Sequence, residues 1–211
     1  MMKTTLTIVA LALATSVSAQ ESPLWMRYCA ISPDGSAVAF TYKGDIYTVP
    51  TTGGTARQLT TNAAYDTHPV WSPDSKQLAF CSNREGSMDV YVMQREGGTP
   101  RRLTTNSNSE TPIAFKDNNT VLYTSSIMPS AKSIIFANRM LPQVYEVGTN
   151  GSRPHLFSTL PMMDISIRPN GDLLYHDQKG YEDPWRKHHR SPITRDIWLR
   201  RGGKYTKLTN F

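Results

Sequence analysis

The same string of residues returns along this chain at fixed internal offsets, and that repetition limits the fold more than any other feature. One unit runs Ile31-Ser32-Pro33-Asp34-Gly35, Ala37-Val38-Ala39-Phe40 and Gly44-Asp45-Ile46-Tyr47, then closes on Gly53-Gly54-Thr55 and Gln58-Leu59-Thr60. The next runs Trp71-Ser72-Pro73-Asp74, Leu78-Ala79-Phe80 and Met88-Asp89-Val90-Tyr91, closing on Gly97-Gly98-Thr99 and Arg102-Leu103-Thr104. Two weaker copies follow. The third holds Lys116-Asp117-Asn118, Val121-Leu122-Tyr123, Gln143-Val144-Tyr145, and Gly151 with Leu156. The fourth holds Arg168-Pro169-Asn170-Gly171, Leu173-Leu174-Tyr175, Asp196-Ile197-Trp198, and Gly203 with Leu208. The step from turn residue to aromatic is the same at 34 and 40, 74 and 80, and 117 and 123; it is one shorter at 170 and 175. The step from glycine to closing leucine is constant in all four copies: 54 and 59, 98 and 103, 151 and 156, 203 and 208.

Each copy reads as four short strands. Asp34-Gly35 and Asn170-Gly171 are hairpin signals, because glycine accepts the positive φ a tight turn demands. The strands themselves are β-branched and aromatic, as in Ile46-Tyr47-Thr48-Val49 and Val90-Tyr91-Val92. A four-stranded antiparallel sheet of roughly 40 residues repeated in tandem is a propeller blade. The expected fold is therefore all-β: a propeller of four-stranded antiparallel blades, four of them present, incomplete and unclosed. The expected blades cover about 25–61, 68–105, 111–159 and 162–210. Growth of the later units is confined between their second and third strands, at Ser125 to Leu141 and Gln178 to Thr194, as loops on a fixed framework.

The first residues set the compartment. Met1-Met2-Lys3, the apolar run Leu6 to Ala14 and the small residues Val17-Ser18-Ala19 form a cleavable signal peptide over 1–19, leaving a propeller portion over 20–211. The protein is thus expected to be exported and periplasmic, with no membrane span after signal removal. The formal charge of +6 is scattered apart from Arg186-Lys187-His188-His189-Arg190, and no basic stripe tracks a phosphate backbone, so nucleic acid is not an expected partner. Cys29 and Cys81 occupy different places in their repeats and read as two buried thiols.

The Ser-Pro-Asp-Gly turn, the following Ala-Phe and the Gly-Gly-Thr…Leu-Thr close resemble the propeller repeat of TolB and its relatives. A narrower likeness lies in Ser22-Pro23-Leu24-Trp25-Met26-Arg27-Tyr28, in Tyr42-Lys43-Gly44-Asp45-Ile46-Tyr47, and in Lys179-Gly180-Tyr181-Glu182-Asp183-Pro184-Trp185. Together these resemble the N-terminal propeller of tricorn-type serine peptidases, in an exported bacterial branch. The resemblance implies a parent protein with further propeller blades, a PDZ-like module and a peptidase domain. It also implies peptides as substrates of that parent, with the propeller gating or guiding them, and it is compatible with a homo-oligomer. Two other readings stay open: a periplasmic TolB-like protein-binding module, and the propeller half of another exported hydrolase.

Within the chain no catalytic residue is expected. No Gly-x-Ser-x-Gly elbow is present, and the peptidase residues of the resembled family lie in domains outside this stretch. His188 and His189 sit among Arg186, Lys187 and Arg190, which repel cations, so neither metal nor cofactor is expected. Arg186, Lys187, His188, His189 and Arg190 read first as a solvated loop or a contact with another domain; the sharper expectation is that they overhang the substrate path and attract peptide carboxylates. Arg57, Arg101 and Arg102 are expected as solvent-facing charges on outer strands. Tyr47, Tyr91, Tyr145 and Trp198 are expected to pack between blades.

Overall fold

The structure is a computed structural model that describes residues 25–127, 142–160, 162–168, 170–177 and 196–209. Among these residues there are strands and turns and no helix. The first blade comprises β1 (Arg27–Ile31), β2 (Ala37–Tyr42), β3 (Asp45–Pro50) and β4 (Arg57–Gln58). The second comprises β5 (Asp66–Trp71), β6 (Gln77–Glu85), β7 (Ser87–Gln94) and β8 (Gly97–Arg102). The third comprises β9 (Glu110–Asp117), β10 (Thr120–Ser125), β11 (Gln143–Gly148) and β12 (His155–Ser158). The fourth comprises β13 (Met162–Ile167), β14 (Leu173–Asp177), β15 (Ile197–Arg201) and β16 (Lys204–Lys207). Each blade is a separate four-stranded antiparallel meander whose strands pair in chain order.

The first strands β1, β5, β9 and β13 lie side by side in that order and form the inner wall of an arc of blades. No comparable packing joins β13 to β1 among the described residues, so the ring is unclosed. Of the two enlarged loops, Ser125 belongs to β10, and residues 128–141 and 178–195 lie outside the described residues. The signal segment 1–19 lies outside them as well.

In blades 2 and 3 both faces are buried, one by the preceding blade and one by the following blade, which is why their middle strands are apolar without a polar face. Strand alternation sends Ala39 and Ile46 toward blade 2, whose Leu78, Phe80 and Tyr91 meet them in one cluster. Ala79, Val90 and Val92 point the other way and meet Val121, Tyr123 and Val147 of blade 3. Leu122 and Val144 meet Met162, Leu173 and Tyr175 of blade 4. From blade 2 on, the recurring aromatics are packed on the preceding blade, whereas Tyr47 of blade 1, expected between blades, is only half-buried; the aromatics also stack across strands of their own sheet. Phe40 opposes Tyr47, Phe80 opposes Tyr91 and Tyr123 opposes Tyr145, with ring centroids 5.8, 5.9 and 5.6 Å apart. Such a pair contributes about 0.5–1.5 kcal/mol beyond the burial of its rings.

Two polar devices explain the rest of the repeat. In the turn, the Ser32 hydroxyl donates to Asp34 at 2.6 Å and accepts from the Ala37 N–H at 3.0 Å, while Asp34 also accepts from the Ser36 N–H. Ser72, Asp74, Gln77 and Lys76 repeat the arrangement in blade 2. In blade 4 the Arg168 N–H closes on the Asp172 carbonyl, one residue nearer than the Ser32 to Ala37 closure. That single missing residue is the shorter step from Asn170 to Tyr175. At the blade's end, the Thr60 hydroxyl accepts from the Ile46 N–H and donates to Asp45, both at 3.0 Å. Thr209 does the same for Ile197 and Asp196. The distant Asp and Leu-Thr signatures are therefore two halves of one clasp.

Candidate functional site: the inner-strand cleft

The inner strands are edge strands, each pairing only with the second strand of its blade. Three carry a bulge at an equivalent place: register slips between Arg27 and Ala30, Thr67 and Val70, and Met163 and Ser166. At each bulge sits a non-glycine residue in the left-handed region: Tyr28 at φ 53°, His68 at 54° and Asp164 at 48°. This conformation costs roughly 1–2 kcal/mol per residue, and it bends and twists the edge strand. In blade 3 the position belongs to Pro112, whose ring holds φ negative, and the register slip there falls between Leu122 and Tyr123.

The bulges place chemistry-bearing side chains along the inner wall. Tyr28 and His68 come from adjacent blades, and their ring centroids lie 3.6 Å apart. Burial holds the His68 imidazole below its usual value, so it is neutral at pH 7. In blade 4, Asp164 bonds the His176 imidazole across to β14.

His68 Nδ1 lies 3.2 Å from the Thr67 hydroxyl and 3.9 Å from Cys81 Sγ. Cys81 is buried, and burial pushes its thiol up to about 12. With the thiol raised and the imidazole lowered, transfer of the thiol proton to His68 is strongly unfavourable, so the pair does not supply a thiolate. No group of three metal-ligating side chains occurs among the described residues. Cys29, expected to be buried, is exposed: it lies on β1, whose outer side no blade covers among the described residues.

One end of the inner wall opens into a cleft of about 630 Å³. Its walls come from all four inner strands, with Ala30, Trp71, Phe115, Ile165 and Ile167 as the apolar surface. The turn prolines Pro33 and Pro73 border it, as do Lys116 and Arg168. Trp71 is fixed in place: its indole N–H donates to the Ala30 carbonyl at 3.0 Å, and the Arg95 guanidinium lies 5.5 Å over the ring. Lys116 is engaged by Glu146 at 2.7 Å. The cleft offers apolar contact and a rim of mixed charge, with Lys116 and Arg168 beside Asp117.

The five residues Arg186, Lys187, His188, His189 and Arg190 lie outside the described residues. The outer-strand arginines are more than solvated charges. Arg57 bonds Glu96 of blade 2 at 2.8 Å, Arg101 donates to the Thr149 carbonyl of blade 3, and Arg102 holds the buried Asp89 at 2.7 Å. Sequence repetition missed the bulge positions because Tyr28, His68, Pro112 and Asp164 share no chemistry. The available signal was their offset, since 28, 68 and 164 stand at one distance before the turn residues 34, 74 and 170.

Comparison with known proteins agrees with this architecture. The family described as the tricorn protease N-terminal beta propeller domain matches residues 23–211. Tricorn protease homolog 1 of Streptomyces coelicolor is 28% identical over 195 residues, covering 91% of this chain and 17% of that protein. An uncharacterized protein of Agrobacterium fabrum is 41% identical over 64 residues, covering 28% of this chain and 22% of its own length. The chain therefore spans less than a quarter of either curated relative. Among solved structures, a putative TolB from Agrobacterium tumefaciens superposes with a TM-score of 0.61 at 25% identity, covering 85% of this chain and 64% of that one. The tricorn protease superposes with the same TM-score of 0.61 at 14% identity, covering 86% and 22%. With its four meander blades and a family match that runs through all of them, the chain belongs to the tricorn protease N-terminal β-propeller family.

Proposed function

We propose that this chain is the propeller portion of an exported tricorn-like serine peptidase, guiding peptides to a peptidase domain without cleaving them. The observation that carries the reading is the cleft built jointly by four inner strands of a tricorn-family propeller. An apolar wall such as Trp71, Phe115 and Ile167 suits the side chains of short extended peptides, and Arg168 at the rim suits their carboxylates. The bulges interrupt the inner edges, so a passing peptide is not captured as an added strand. In this reading the segment Arg186 to Arg190 adds positive charge along the same path. Export rests on the signal-like residues 1–19; no helix among the described residues is long and apolar enough to cross a membrane.

A second reading has one observation in its favour. The likeness to the putative TolB covers 64% of that chain, against 22% for the tricorn protease, which suits a stand-alone binding module. Peptide hydrolysis separates the two. The parent protein is expected to cleave short peptides, this chain alone to leave them intact, and Lys187→Ala with Arg190→Ala to slow the parent several-fold at low substrate. A parent that cleaves no peptide contradicts the peptidase reading, and unchanged turnover in the double variant removes the basic segment from the path.

A further inference from the structure

Each inner strand of blades 2 and 3 begins with a buried acid, but only one of the two acids has a cation of its own. In blade 2 the acid is Asp66, and the Arg84 guanidinium bonds its two carboxylate oxygens at 3.0 and 2.9 Å. Arg84 stands two residues beyond Ser82, the cross-strand partner of Asp66. In blade 3 the corresponding acid is Glu110, opposite Ser125, and two residues beyond Ser125 stands Ile127. Glu110 is 1% exposed, and its Oε2 has no hydrogen-bond partner among the described residues.

The surroundings of Glu110 make its charge harder to hold. Across the junction lies Asp89 of β7, fully buried and already engaged by Arg102 of β8 at 2.7 Å and by the Ser87 hydroxyl at 3.3 Å. The Arg102 guanidinium is bonded to Asp89, and Glu110 feels only its longer-range attraction. The remaining titratable groups nearby are tyrosines. The hydroxyls of Tyr91 on β7 and Tyr123 on β10 are buried without hydrogen-bond partners among the described residues, and that of Tyr145 on β11 donates to Gln143 at 2.7 Å. From the segment between β8 and β9, Thr104 and the Asn106 main chain favour the charged form, as does Arg102 of β8.

We propose that Glu110 is protonated in the packed junction of blades 2 and 3, and that its ionisation loosens this junction as pH rises. The propeller then contains a pH-sensitive joint, tight in acid and weaker toward alkaline pH. Burial raises the Glu110 carboxyl most; Thr104 opposes it, the Asp89 charge adds to it, and the result is about 7 against an ordinary 4.5. Burial raises Asp89 as well, against the pull of Arg102. Because the folded value lies above the unfolded one, the folded chain binds the extra proton. The stabilisation is complete below the unfolded value and is lost as pH rises through the folded value.

The test is the urea unfolding midpoint of the whole chain from about pH 5 to about pH 9, for wild type and Glu110→Gln. Wild type is expected to lose roughly a hundredfold in its folding equilibrium across that range, and Glu110→Gln to show no loss from this source. The variant is then the more stable protein at the alkaline end. Parallel profiles for the two proteins overturn the proposal. A second reading does not depend on the variant folding: the carbon-13 shift of the wild-type Glu110 carboxyl. A midpoint near neutrality supports a proton held in the junction, and one in the ordinary range of about 4–5 overturns it.

Discussion

The main-chain N–H of Asp34 donates to the hydroxyl of Ser75 at 3.0 Å, tying the turn of blade 1 to the turn of blade 2. The tie repeats one blade on, where the Asp74 N–H donates to Asn118 at 3.0 Å. Ser75 makes it from the left-handed region, at φ 59°, where the first and fourth turns use Gly35 and Gly171. The second turn thus departs from the Asp-Gly signature for the sake of a side chain that reaches its neighbour.

Two substitutions separate the strain from the tie. Ser75→Ala keeps the strained backbone and loses the acceptor, and is expected to destabilise by about 1 kcal/mol. Ser75→Gly loses the same acceptor but relieves a left-handed residue, which offsets about 1 kcal/mol, so its stability should stay near wild type. Denaturant midpoints of the two variants decide it; a glycine variant weaker than the alanine variant contradicts this account.

Arg84 is the sole cation bonded to Asp66 among the described residues, and its guanidinium also lies 4.7 Å over the Tyr91 ring. Arg84→Ala should cost about 3–5 kcal/mol, because it strands a buried carboxylate as well as removing a pair. Adding Asp66→Asn to that variant should recover part of the loss, since the neutral amide no longer needs a counter-charge. Thermal unfolding of the single and double variants checks this, and an Asp66→Asn change that worsens Arg84→Ala contradicts it.

The stacked tyrosines of blade 3 are expected to respond differently to losing their hydroxyls. The Tyr145 hydroxyl donates to Gln143 at 2.7 Å, whereas the Tyr123 hydroxyl is buried without a partner among the described residues. Tyr145→Phe should therefore cost about 1 kcal/mol, and Tyr123→Phe should be neutral or slightly stabilising. Unfolding free energies of the pair measure the difference, and equal losses would contradict the assignment of partners.

Much of the fold was legible because the propeller repeats its instructions. The turn from Ser32 to Ala37, the clasp of Asp45 by Thr60 and the aromatic pair Phe80 and Tyr91 each recur in the same order in other copies, with the spacing changing mainly in the loops between strands, so the strands and their order could be read directly. The site was less legible. His68 and Asp164 occupy one structural position with different side chains, and a bulge is a property of backbone register that residue identity does not encode. Arg102 looked like a surface charge because its partner Asp89 is brought close by sheet pairing between β7 and β8. Glu110 looked unexceptional because the arginine it lacks can be noticed only once blade 2 shows where that arginine would stand. Cys29 departs from expectation for a related reason: its equivalent in blade 4, Ile165, is buried against blade 3, and no blade precedes Cys29 among the described residues.

The central claim is that the inner-strand cleft receives peptides and performs no chemistry on them. Calorimetric titration of the purified chain with short apolar peptides, followed by mass spectrometry of the mixture, tests it most directly. The account expects saturable binding, at least tenfold weaker after Ile167→Asp places a charge on the apolar wall, and intact peptide at the end. Cleaved peptide, or binding that Ile167→Asp leaves unchanged, would contradict it.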